Sequence, residues 1–238
     1  MSISLEVARR RLAAMHARQA LSRTRAWQPL QHYLERTKST GCSYIDYWHL
    51  YEQIRTHRPR EVLELGTGAS TIVLAHAVSE YGGGRVTSME ESEDWYRHAK
   101  QNLPSDLSVE IVLSETVEDA FSLFRGIRYR DVPDRAYDFV FVDGPGYTTK
   151  DGHVTFDFDL IRLIESAKTP LRAVIDKRVS TCFVLQRVLP GKVRYVPHLG
   201  LCFVDAVTHT DLRPIDRRTP SSSFRLGPLI DFAGIKRH

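Results

Sequence analysis

The densest chemistry in the chain lies in one short run, Glu61–Ser70. Val62, Leu63 and Leu65 form an apolar strand pattern that runs into Gly66-Thr67-Gly68. A helical pattern starts at once with Ala69, Ile72, Val73 and Leu74. Strand, glycine turn and helix make the first half of a nucleotide-binding βαβ unit. Glycine lets the backbone turn tightly and lets a ligand come close. The free N–H groups of a helix start face such a ligand, so Gly66, Thr67, Gly68 and Ser70 are candidate contacts. Glu64 stands two residues before Gly66. A carboxylate at the mouth of the turn repels a diphosphate and suits an ammonium or sulfonium group. Glu90 lies some twenty residues beyond Gly68, where an acid in a βαβ unit accepts hydrogen bonds from ribose hydroxyls. Glu91 is the adjacent candidate for the same role. Asp143 and Asp176 end two later strand patterns, and Lys150, His153 and Lys177 follow as candidate bases.

These residues need a scaffold, and the hydrophobic pattern supplies one. Helices are expected over 3–20, about 27–36 and 43–57, the first with a stripe of Leu5, Ala8, Leu12 and Met15. Strands are expected at 61–65, 85–91, 107–113, 137–143 and 171–177, with helices between them. One of these helices is placed at Val117–Phe124, followed by a polar loop over 126–135. A polar loop, Gly144–Phe156, leaves the fourth strand, and loops at the carboxyl ends of parallel strands form substrate sites. Two closing strands, 192–197 and 201–207, complete an α/β sheet. Residues 1–42 read as an N-terminal helical extension, 43–207 as the central domain and 208–238 as an irregular basic tail.

Glu-x-Gly-x-Gly after an apolar strand resembles the first motif of the class I S-adenosylmethionine (SAM) methyltransferases. The end of the fourth strand, Asp143-Gly144-Pro145-Gly146-Tyr147, resembles that of the small-molecule O-methyltransferases. The resemblance spans 43–207. It implies a Rossmann-like doubly wound sheet of seven strands, ordered 3-2-1-4-5-7-6 with strand 7 antiparallel. It also implies SAM as cofactor, with Glu115 beside the adenine and Asp143 facing the transferred methyl. Catechol- and caffeoyl-CoA-type relatives hold a divalent metal on an Asp after the fourth strand and an Asp-Asn pair after the fifth. Asp143 and Asp176 stand at those places, but Lys177 replaces the Asn, and an ammonium cannot ligate. The metal-free version is therefore preferred. The activity implied is O-methylation of a small-molecule or sugar hydroxyl.

Composition narrows the alternatives. With 42% hydrophobic and 26% charged residues, the chain has the make-up of a globular protein, and no apolar run could span a bilayer,. Three cysteines without a Cys-x-x-Cys pair fit a reducing cytoplasm and neither a disulfide scaffold nor a zinc site,. The charge is uneven. Residues 1–40 carry eight Arg or Lys against two acids and residues 211–238 six against three, so the middle is acidic although the total is +4. A nucleic-acid-gripping core shows the reverse, so nucleic acid is not the expected partner; the expected partner is a small-molecule substrate, and a homodimer is allowed for. An RNA methyltransferase docking through its basic ends and a non-catalytic SAM-binding protein are the alternatives. An NAD-dependent oxidoreductase is disfavoured by Glu64 and by Ser70 in place of a third glycine.

Overall fold

In the computed structural model, which describes residues 3–37, 41–104 and 107–215, one twisted sheet carries the molecule. Its parallel strands are β1 (Glu61–Leu65), β2 (Arg85–Glu90), β3 (Val109–Leu113), β6 (Phe139–Val142) and β7 (Leu171–Asp176); β8 (Val193–Val196) and β9 (Leu201–Val207) close one edge. The order is β3-β2-β1-β6-β7-β9-β8, and β9 runs antiparallel to both neighbours. Counting only strands of this sheet, that is the expected 3-2-1-4-5-7-6.

Burial follows the period of two. In β1, Val62 joins the core on one face of the sheet while Leu63 and Leu65 join the other; Phe139 and Phe141 alternate with Val140 and Val142 in β6 in the same way. Strands apolar on both sides need helices on both faces. One face is covered by α1 (Ile3–Leu21), α2 (Trp27–Arg36), α3 (Tyr44–His57) and α4 (Ala69–Ser79), which share one core; Leu103, just beyond α5 (Glu93–Asn102), packs against it. The other carries α6 (Asp159–Ser166) and α7 (Val179–Val188).

Three expectations are corrected. Val117–Phe124 is not a helix: β4 (Thr116–Phe121) and β5 (Phe124–Tyr129) form an antiparallel hairpin, a second two-stranded sheet. Val117, Ala120, Phe121 and Phe124 match a helical stripe, but Val117, Asp119 and Phe121 also alternate. Tertiary pairing decides between the two periods. Ile127 accepts from Phe158 N at 2.7 Å and donates to Phe156 O at 3.0 Å, and Asp119 takes ion pairs from Arg128 and Arg162, each at 2.7 Å. Second, α1 forms as expected but packs through Ala17 and Leu21, while Leu5, Leu12 and Met15 are exposed. Small side chains let α1 lie close on α3. Third, the tail begins in order: Leu212 and Ile215 are buried beyond a 3₁₀ turn at His209–Asp211. The rest of the expected tail lies outside the described residues.

Candidate active site

The carboxyl ends of β1, β2 and β6 meet in a cleft of about 280 Å³, walled by Gly66, Thr67, Glu90, Glu91, Trp95, Asp143, Gly144 and Arg178 among others. Backbone geometry sets its floor. Gly66 has φ +99, and a Cβ on it would come within 2.8 Å of Gly144 N. A Cβ on Gly144 would come within 2.7 Å of Gly66 Cα. The two turns thus lie back to back, so Gly66 serves main-chain packing as well as any ligand. Thr67 Oγ1 donates to Met89 O at 3.1 Å and fastens the turn to β2.

Glu64 is not at the mouth of the turn. The strand alternation sends it under α4, fully buried, where its carboxylate accepts from Thr71 Oγ1 at 2.5 Å and Ser88 Oγ at 2.6 Å. Burial pushes its pKa up to about 7, against the pull of the hydroxyls of Ser70, Ser88 and Thr71. Gly68 and Ser70 are also buried and stay behind the cleft wall; Gly68 N donates to Thr71 Oγ1 at 3.0 Å, closing the first turn of α4.

The two acids ending β2 separate clearly. Glu91 is committed on both oxygens, accepting from Gly146 N at 2.9 Å and Tyr129 Oη at 2.7 Å. Glu90 lines the cleft, accepts from Ser92 N at 2.8 Å, and is pushed up to about 7 by burial and by the charge of Glu91. Glu115 is exposed, paired to Arg130 at 2.7 Å, and is not among the residues walling the cleft.

Asp143 sits at the far wall, its pKa raised by burial. Beside it Asp176 and Lys177 meet three partners that the sequence did not bring together with them, Cys42, Gly41 and Asp46: Cys42 Sγ lies 3.3 Å from Asp143 Oδ2, and Lys177 Nζ donates to Gly41 O at 2.8 Å and to Asp46 Oδ2 and Asp176 Oδ2 at 3.2 Å each. Burial alone would lower the Lys177 pKa, but the Asp46 and Asp176 charges outweigh it and raise it. Lys177 is an ammonium, which cannot act as a base. Asp176 is pushed up to about 8 by burial and by the Asp46 charge. Arg178 next door braces the turn after β6, donating to Pro145 O at 2.7 Å, to Asp157 Oδ1 at 2.5 Å and to the carbonyl of Asp143. Its guanidinium also stacks on Tyr147, 5.1 Å from the ring centroid.

Lys150 and His153 lie exposed on the 144–156 loop, and neither walls the cleft. Asp46 carried a readable signal, the Ser43-x-x-Asp46 capping box opening α3,. Arg178 and Cys42 carried none, since these contacts span more than twenty residues of chain.

A second cavity, about 730 Å³ and mainly apolar, is walled in part by Tyr147 and Lys177, the chain neighbours of Gly146 and Arg178 in the cleft wall. Phe124 of the hairpin, Val154 and Phe156 of the loop, and Val179 and Phe183 of α7 line it.

The donor set does not fit the metal of the catechol-type enzymes. An ammonium stands between Asp46 and Asp176, Lys177 offers no ligand atom, and the remaining neighbour is a thiol.

The sheet order is the Rossmann-like one expected of a methyltransferase fold, and comparison with known proteins finds a likeness over part of the chain and a likeness of fold. Residues 63–165 match the model of a family described as a methyltransferase domain. A methyltransferase from Geobacter sulfurreducens is 14% identical, with 76% of this chain and 89% of that one covered at a TM-score of 0.50. That likeness is one of fold. A putative caffeoyl-CoA O-methyltransferase from Staphylococcus aureus is 19% identical over 84% of this chain and 99% of its own, TM-score 0.48. An O-methyltransferase from Bacillus cereus in complex with SAH is 18% identical over 73% of each chain, TM-score 0.44. No helix among the described residues is long and apolar enough to cross a membrane.

Proposed function

We propose that the protein transfers a methyl group from SAM to a hydroxyl of a small molecule with an apolar body, without a metal. The observation that carries this reading is a pair of cavities walled by neighbouring residues: a polar cleft with Glu90, Asp143, Gly146 and Arg178, and an apolar chamber with Tyr147 and Lys177. SAM supplies an already activated methyl, so the protein has to align a nucleophile and keep water out. Glu90 is assigned to the ribose hydroxyls, because Glu91 is engaged on both oxygens. Thr67 and Gly66 give the turn on which the cofactor rests, and Trp95 offers a ring at the cleft wall. Glu64 acts at one remove, by fixing the start of α4 and the end of β2. Asp143 is assigned to the reacting centre, where its carboxylate faces the sulfonium. Its burial-raised pKa also makes it the cleft's group best suited to take the hydroxyl proton,. The apolar chamber wall disfavours a sugar as acceptor.

Calorimetric titration with SAM, S-adenosylhomocysteine and NAD, side by side, tests the cofactor assignment. SAM is expected to bind with a micromolar Kd and NAD not to compete. Tighter binding of NAD than of SAM would overturn it.

A further inference from the structure

We infer that Lys177 is a resident cation holding the place of a divalent metal, and that this corner becomes a metal site only when its ammonium is removed. Three observations support this. The three protons of the ammonium are all used, on Gly41 O at 2.8 Å and on Asp46 and Asp176 at 3.2 Å each. The Cys42 sulfur and one oxygen each of Asp46 and Asp176 lie within 4.8 Å of one another, a spacing at which one small cation could touch all three. The second oxygens of Asp46 and Asp176 are buried and have no hydrogen-bond partner among the described residues. Both side chains are nearly inaccessible, at 0% and 2% exposure. The cluster therefore has unused donor capacity that one ammonium cannot satisfy.

The backbone at this position also favours asparagine over lysine. Lys177 has φ +46, in the left-handed region that side-chain-bearing residues rarely adopt. Asparagine tolerates that conformation better than lysine and would add an amide oxygen as a ligand.

The meaning of this device rests on the methyl-transfer reading, but its test does not, because metal binding is measured without SAM. Mn²⁺ is titrated into the full-length protein and free Mn²⁺ is followed by electron paramagnetic resonance, for wild type, Lys177→Asn, Lys177→Met and Lys177→Arg. Wild type and Lys177→Arg should bind no Mn²⁺ below the millimolar range. Lys177→Asn should bind one ion per chain at least tenfold more tightly, and Lys177→Met should fall between. Wild type that binds one Mn²⁺ with submillimolar affinity overturns the inference, and so does a folded Lys177→Asn that gains none. Should the neutral variants fail to fold, wild type and Lys177→Arg still decide, since Mn²⁺ bound by either with submillimolar affinity rejects a resident cation. Loss of SAM binding in untreated wild type would instead count against the methyltransferase reading alone.

Discussion

The two cavities are built by different means. The polar cleft is a main-chain construction: its floor is two glycine turns in contact, and its walls are strand ends held by Gly66 N to Met89 O at 3.1 Å and Asp143 N to Leu65 O at 2.8 Å. The apolar chamber is a side-chain construction, assembled from a hairpin, a loop and the start of a helix. A main-chain site cannot be reshaped by substitution without breaking its frame. A side-chain site can be reshaped one residue at a time. On the proposed reading, the division gives the methyl donor a fixed seat and the acceptor an adjustable one.

If that contrast holds, the largest effect should come from the cleft floor. Gly66→Ala places a Cβ against Gly144 N and puts alanine at φ +99. We expect a loss of about 2–4 kcal/mol of stability, read by urea unfolding, together with loss of SAM binding. A stable Gly66→Ala protein with unchanged affinity would break the contrast.

Glu90→Ala comes next. Bonds to a charged acceptor contribute about 1.5–3 kcal/mol, so SAM affinity should fall roughly ten- to a hundredfold by calorimetry. The same assignment fixes a pH dependence. The folded pKa of Glu90, about 7, lies above the 4.5 of a glutamate in the unfolded chain. Its contribution to the stability of the free protein is therefore fully present below pH 4.5 and lost as pH rises through 7. Binding runs the other way, because the carboxylate is the form that accepts from both ribose hydroxyls. Affinity should rise about tenfold from pH 6 to pH 8, and Glu90→Gln should flatten that slope.

The smallest effect should be Phe183→Ala in the chamber. It removes apolar contact worth about 1–2 kcal/mol to an acceptor, raising the acceptor KM several-fold while the SAM Kd stays put. A matching loss of SAM affinity would show that the two cavities are not separate.

The same division governs what could be read in advance. The glycine turn and the place of Glu90 at the end of β2 were legible because each is a local pattern within one βα unit, whereas the strand order came from the resemblance to the class I methyltransferases. Glu64 was read in the right place but on the wrong face. It shares a face with Val62, which puts it under α4,, and the motif alone says nothing about which side of the strand faces the ligand. The hairpin at 116–129 was hidden because its sequence satisfies both periods, and its partner, the 156–159 segment, lies about thirty residues on. Asp143, Asp176 and Lys177 were placed together by the resemblance, but Cys42 and Asp46 join them from more than a hundred residues away, and no spacing rule reaches that far.

Lys177 and Arg178 are neighbours that grip opposite walls. One holds the carbonyl of Gly41 ahead of α3, the other those of Asp143 and Pro145 after β6. A residue inserted or deleted between Asp176 and Val179 would move both grips together and hand each wall the wrong side chain. The chamber positions immediately downstream, Val179, Ser180 and Phe183, carry no such double duty. On this scaffold, acceptor range is open to exchange of side chains along α7 and closed to variation in chain length at its start.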